Sequence, residues 1–234
     1  FNDFNILKTY IDGKLVAENN KSLIAVDKVQ TINKFAAEKV LIKDFRIADI
    51  GKEVKIISAI SGEIITEKLV GRPKSVNNNL VSDVDNDILK IAVINRYEKK
   101  KIALGFIKNF GLKKGAIASS VAHDSHNIVV IGCSDEEMAR AANMIIKSKG
   151  GLVAWSYDQH KCIPLPIAGL MTNQNGYKIA GDYLLLVALA KEFGSTLNDP
   201  FMTMGFMSLL VIPRLKLSDK GLFDCEKFQL TELF

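Results

Sequence analysis

Residues 115–151, GAIASSVAHDSHNIVVIGCSDEEMARAANMIIKSKGG, hold two strand-like runs, a polar break between them, and then a helix. Small and β-branched residues fill GAIASSVA and NIVVIG, as a pleated, well-packed surface favours. Ser134 and Glu137 form the S-x-x-E pattern of a capping box, and Asp135, Glu136 and Glu137 crowd the first turn beside the positive helix end. Met138, Ala141, Ala142, Ile145 and Ile146 recur at helical spacing, Lys147 and Lys149 suit the C-terminal end, and Gly150-Gly151 stop the run. A strand pair closed by a single helix points away from regular βαβ alternation.

Outward from this stretch the pattern stays β-rich. In KTYIDGKLVAE (8–18), Asp12-Gly13 supplies the positive-φ pair of a tight hairpin. The mixed run 19–37 reads as a connection, so the expected domains are 1–36 and 37–234. From 39 to 70 the pattern is again β, with EVKIISAI and EIITEKLV pairing across Ser61-Gly62. Polar, turn-rich 71–87 reads as a surface loop, and 88–97 pairs with 101–110. After the helix, 151–167 gives strand, turn and strand. A second helix spans about 178–193, with Leu184, Leu185, Val187, Ala188 and Ala190 giving broad apolar coverage. DPFMTMGF reads as a short helical or looped piece, 209–217 as a strand, and Asp219-Lys220-Gly221 as a turn. The expected fold is α+β: a mostly antiparallel or mixed β-sheet with a few packed helices, preceded by a small N-terminal β-hairpin.

The 234 residues, 48% hydrophobic and 24% charged, suit a soluble globular protein. The longest apolar run, YLLLVALA (183–190), is far short of the roughly 20 residues that cross a bilayer, so no membrane partner is expected. The start lacks the basic region and apolar core of a signal peptide, and also an initiator methionine, so a mature or excised fragment is expected. Cys133, Cys162 and Cys225 share no CxxC spacing and read as reduced thiols of a cytoplasmic protein. Net charge is +5, but the densest basic run, YEKKK (97–101), lacks interleaved aromatics and reads as a solvated hairpin loop, so no nucleic-acid partner is expected.

Chemistry concentrates at His123, Asp124, Ser125, His126 and Asn127. On an extended strand the two histidines would face opposite sides, so they converge only across a bend. Three readings stand open: metal ligands, imidazoles satisfied by backbone carbonyls, and polar groups presented to a ligand or a neighbouring domain. Burying all of them unpaired would cost about 1–3 kcal/mol each. His123, Asp124 and His126 are the catalytic candidates, and Ser125 and Asn127 the candidates for substrate or interface contact; no metal ligand is assigned. His160 reads as an exposed turn residue, Pro164 and Pro166 as the end of an edge strand, and Met202, Met204 and Met207 as core or interface filler. HxH, HExxH, G-x-S-x-G and the H-x-E with P-C-x-x-C of zinc nucleobase deaminases are absent. As a self-contained enzyme, the chain is poorly equipped.

The long motif GFIKNFGLKKGAIASSVAHDSHNIVVIGCSDEEMARAANMI (105–145), followed by GGLVAW, IPLPIAGLM, LNDPFMTMGFMSLLVIPRLKLSDKGLFD and FQLTELF, resembles the C-terminal region of bacterial adenine deaminases of the amidohydrolase superfamily. FNDFNILKTYIDGKLVAENN (1–20) is similar to the strands that complete that family's small β-sandwich. The lysine-rich hairpin at 94–104 is shorter than the glycine-containing connection associated with the family. The resemblance implies a part in converting adenine and water to hypoxanthine and ammonia within purine salvage. It also implies a manganese or iron centre in a barrel whose ligands lie outside this chain. Adenine, the chain's own N-terminal barrel and further copies in a homo-oligomer are the partners it implies. His123, Asp124, His126 and Asn127 would face the barrel mouth or a subunit interface. A stand-alone, non-catalytic purine-binding or assembly domain is the alternative.

Overall fold

A computed structural model describes residues 3–25 and 30–234, which fall into two compact units, 1–30 and 31–234. In the smaller unit, β1 (Lys8–Ile11) pairs antiparallel with β2 (Lys14–Glu18), which pairs with β3 (Lys21–Ser22). Asp12 and Gly13 take φ of 48° and 73°, the left-handed pair that the tight turn requires. The connection expected over 19–37 lies partly outside the described residues.

The larger unit is α+β. Its strands in chain order are β4 (Ile47–Ala48), β5 (Val54–Ala59), β6 (Thr66–Gly71), β7 (Ser75–Val76), β8 (Asn79–Leu80), β9 (Ile88–Ile94) and β10 (Ala103–Lys108). There follow β11 (Ala116–Ser119), β12 (Ile128–Gly132), β13 (Gly151–Trp155), β14 (His160–Pro164), β15 (Leu215–Ser218), β16 (Gly221–Asp224) and β17 (Gln229–Leu230). The helices are α1 (Asp135–Ser148), α2 (Gly176–Glu192) and α3 (Pro200–Gly205). Eight strands form one sheet in the order β14-β13-β11-β12-β9-β10-β5-β6, antiparallel at every junction except the parallel β10–β5 pair.

Side-chain alternation builds a core on each side of this sheet. Leu89, Ile91, Val93, Ile117, Val129 and Ile131 share one layer with Leu186, Phe193, Phe201, Met204, Leu215 and Leu222. Ala92, Ile94, Ala118, Ile128 and Val130 face the other way, onto Phe45 and the α1 residues Met138, Ala141, Ala142 and Ile145. The central strands are therefore buried on both faces. Among the described residues no helix is long and apolar enough to cross a membrane.

Helix α1 keeps half of its expected box. The Ser134 side chain accepts the Glu137 N–H at 3.3 Å, but the Glu137 carboxylate, instead of reaching the Ser134 N–H, accepts from the Ser134 hydroxyl and from the buried Gly115 N–H, each at 2.7 Å. At the other end Lys149 adopts φ 55° and Gly150 φ 122°. A Cβ on Gly150 would stand 2.4 Å from the Gly169 backbone, so only glycine fits that crossing.

Several expectations need correction. The strand expected at 209–217 begins only at Leu215, because Pro213 brings no N–H to a ladder and its carbonyl accepts from the Thr66 N–H instead. The loop expected at 71–87 contains the β7–β8 hairpin, with Asn77 and Asn78 at positive φ and Leu80 fully buried. Ile42–Phe45 forms a 3-10 turn within a region that reads as β. On α2, Leu184 and Leu185 are 71% and 60% exposed, whereas Leu186, Leu189 and Ala190 carry the packing.

Lys216 lies inside the molecule, and its ammonium donates to the Ile64 carbonyl at 2.7 Å. Burial pushes its pKa down to about 8. Above that pH the native state releases a proton that the unfolded chain still holds, so stability rises with pH. Lys216→Met is expected to abolish that rise, compared by urea midpoints at about pH 7.5 and about pH 9.5; identical trends in the two proteins would exclude the mechanism. Ser134→Ala is expected to lower stability by about 1 kcal/mol in urea or thermal denaturation, and an unmoved midpoint would count against the cap.

Candidate functional site

The polar stretch forms the connection between β11 and β12, at one end of the two central antiparallel strands. Its base is tied down from several sides. The buried Ser120 hydroxyl donates to the Gly169 carbonyl at 2.5 Å and accepts the Gly151 N–H at 2.8 Å. The His123 N–H donates to the Gly205 carbonyl at the end of α3, 3.0 Å away. The His126 N–H closes the turn onto the Ala122 carbonyl at 2.7 Å, with His126 at φ 52°.

Below the turn lies Arg96, only 3% exposed. Its guanidinium donates to the Ala168 carbonyl at 2.7 Å and to the Tyr97 hydroxyl at 2.8 Å. Its backbone N–H donates to the Asn127 side-chain oxygen at 3.2 Å. Asn127 is buried and faces inward, tying β9 to the start of β12. Asp124 and Ser125 occupy the exposed tip. The turn thus collects His123, Asp124, Ser125 and His126 at the surface and sends Asn127 into the interior.

The two imidazoles have different surroundings. His123 stacks on Phe206, with centroids 4.8 Å apart and planes 21° apart. It also walls a cavity of about 180 Å³ shared with Ser119, Val121, Leu152, Tyr183, Phe201 and Met202. His126 is half-buried, and its Nδ1 has no hydrogen-bond partner among the described residues. Burial, with the nearby Arg96 and His123, holds its pKa below the ordinary imidazole value, while Asp124 opposes the shift. In the neutral ring this buried Nδ1 is an unsatisfied hydrogen-bonding group. Tyr183, by contrast, is satisfied: its hydroxyl is 2.7 Å from both Asp199 oxygens, and burial together with that carboxylate drives its pKa upward.

The His123 and His126 rings stand 6.5 Å apart at 63°, and no group of three or more His, Cys, Asp or Glu side chains converges among the described residues. His160 is exposed at the start of β14, an edge strand of the sheet. Burial pushes the Cys133 thiol up to about 12 and the Cys225 thiol up to about 11, so neither is poised as a nucleophile.

Sequence reasoning missed Arg96, Phe206 and Tyr183. Arg96 had a signal, since a cation directly after the seven largely apolar residues of β9 and Asn95 calls for a buried partner. Phe206 and Tyr183 lie 83 and 60 residues from His123, and only the packing of α2 and α3 brings them near.

The family model for the adenine deaminase C-terminal domain matches residues 63–229. The chain belongs to that family. The matched region holds the whole β11–β12 connection, all three helices and seven of the eight strands of the large sheet. A protein named adenine deaminase from Methanosarcina mazei is 45% identical over 243 residues, covering 99% of this chain and 44% of its own length. A protein of the same name from Borreliella burgdorferi is 46% identical over 227 residues, with 96% and 41% covered. One from Methanothermobacter thermautotrophicus is 41% identical over 238 residues, with 99% and 44% covered. The chain therefore spans less than half the length of these curated relatives.

For this adenine deaminase C-terminal domain, the state of His126 gives a pH test. Its folded-state pKa lies below the ordinary value of about 6.5, so its contribution to stability is complete above about pH 6.5 and declines as pH falls towards the folded value. His126→Gln is expected to flatten that decline in urea midpoints between about pH 7.5 and about pH 5.5. A wild-type His126 resonance titrating above about 6.5 would contradict it.

Proposed function

We propose that this chain is the C-terminal part of an adenine deaminase, supporting a catalytic barrel and helping to close or shape its substrate site. The reaction adds water at purine C6 and releases ammonia, giving hypoxanthine. The observation that carries this reading is the family match across the β11–β12 connection, joined to relatives that are more than twice as long as the aligned segment. A manganese or iron centre, expected from the resemblance, belongs in this reading to the barrel; among the described residues no three His, Cys, Asp or Glu side chains converge.

The role assigned to the turn is presentation. Arg96, Asn127 and Ser120 form a fixed base, Asp124 and Ser125 stand exposed above it, and His126 is half-buried between the two. A half-buried, neutral imidazole whose buried Nδ1 has no partner among the described residues suits ordering a loop that packs over it, and through that loop orienting a purine. His123, stacked on Phe206, sets the angle of the turn. Preorganised polar groups of this kind act through positioning.

The test joins this chain to the portion of Methanosarcina mazei adenine deaminase that lies outside the aligned segment. The joined polypeptide is expected to convert adenine to hypoxanthine, whereas the chain alone does not. In the joined form His126→Ala is expected to lower kcat/KM roughly tenfold or more with little loss of melting temperature. Activity of the chain alone, or an inactive joined polypeptide, would overturn the reading. Parallel losses of activity and melting temperature would make His126 purely structural.

A further inference from the structure

Helix α2 departs from the pattern of a surface helix, which turns polar residues to water. Its inner side packs through Leu186, Leu189 and Ala190 against the sheet layer, with Ile179, Tyr183 and Val187 beside them. Its outer side carries Ala180, Gly181, Leu184, Leu185 and Ala188, an exposed stripe without a charge. From Ala180 to Ala188 the stripe runs about 12 Å along the axis. Of the flanking charges, Asp182 accepts from Lys161 at 2.8 Å and Glu192 from Gln159 at 3.0 Å, while Lys178 and Lys191 are exposed at the two ends of the stripe.

The apolar character continues beyond α2. Tyr183, on the side towards α3, lines the cavity of about 180 Å³ whose far wall is His123. Met202, 55% exposed, stands at that cavity and also borders a second hollow of about 130 Å³ formed with Ile64, Asn198 and Phe206. Leu184 and Leu185 are thus exposed on α2, whose Tyr183 leads to the first hollow at the histidine turn, and Met202 and Ile64 are exposed at the second hollow beside it. Clustered exposure of this kind marks a surface that another element covers.

The geometry points to α2 and the adjoining cavity as the docking surface for the part of the parent protein lying outside this chain, with one large apolar side chain of that part seated beside His123. This rests on the reading of the chain as one portion of a longer adenine deaminase. Two observations favour that occupant over a second copy of the chain. The relatives carry more than half their length beyond the segment aligned here, so a covalently attached neighbour is at hand. A helical stripe about 12 Å long and about 10 Å wide, on the order of 120 Å², also falls well short of the roughly 800 Å² per partner that a stable association of separate molecules buries. An attached neighbour needs less area, because its effective concentration is already high. The chemistry of the occupant follows. Gly181 and Ala188 admit close backbone approach, and the cavity walls of Leu152, Tyr183, Phe201 and Met202 suit a branched aliphatic or aromatic anchor.

Thiol labelling tests this without relying on activity. Leu184→Cys, Met202→Cys and a control, Val70→Cys at the opposite edge of the sheet, are each made in this chain alone and in the joined polypeptide; all three positions are more than half exposed. With maleimide, all three are expected to react quickly in the chain alone. In the joined form positions 184 and 202 are expected to slow by at least about tenfold, with position 70 unchanged. Unslowed labelling at 184 and 202 in an active joined polypeptide would overturn the docking surface and leave the proposed function standing. Slowed labelling in an inactive one would support the surface and sink the proposed function. Protection that grows with concentration in the chain alone would identify a second copy as the occupant and overturn the inference.

Discussion

Strands β9 and β12 run side by side with apolar layers on both faces, and this double burial constrains everything placed around them. A one-residue slip of either strand would exchange its two sets of side chains between layers. For β9 the exchange would carry Lys90, fully buried, out of reach of the Asp135 carboxylate 2.6 Å away and of the Phe45 carbonyl. An ammonium stranded among the side chains around Ile91 and Val129 would be costly. Register is thereby fixed by apolar packing and by one buried cation together. Burial lowers the Lys90 pKa while Asp135 raises it, the balance expected where a charge is desolvated against a single partner.

Fixed register sets where β11 ends and β12 begins, and so where the histidine turn emerges. The turn then divides its polar groups. Asn127 and Ser120 satisfy backbone groups of neighbouring strands and loops, so they act as masonry. Arg96 is held under the turn by the Ala168 carbonyl and by Tyr97, over whose ring its guanidinium lies at 4.6 Å. Asp124 and Ser125 have no such duties inside the fold and stand in solvent. A rigid foundation under an exposed polar tip is what a surface shaping another domain's site requires.

The two sides of the sheet are finished differently. Helix α1 is amphipathic and capped by Ser134, covering its layer with a polar exterior. Helix α2 is apolar around most of its circumference, and its packing against β13 and β14 uses only part of that surface. The contrast is physical: α1 is complete as a surface helix, whereas α2 retains apolar area beyond what this chain covers. That excess lies on the side of the sheet where α3 and Phe206 meet His123.

The sequence by itself determined the local events. Asp12-Gly13, Ser134 and Gly150-Gly151 mark turn, cap and stop through backbone chemistry confined to a few residues, and period-two alternation marks the paired strands. The α+β class and the position of the polar turn followed from these signals. Tertiary structure alone decided which elements meet. The parallel β10–β5 junction, the late start of β15 at Leu215, the outward face of Leu184 and Leu185, and the pairing of His123 with Phe206 all depend on contacts between distant residues. The same holds within the cluster, where five neighbouring polar residues look equivalent in sequence. Asn127 turns inward because the Arg96 N–H, 31 positions away, needs an acceptor there, and His126 lies half-buried because Arg96 and Ala122 surround it. A residue's neighbours along the chain fix its conformation; its neighbours in space fix its solvation and hence its chemistry.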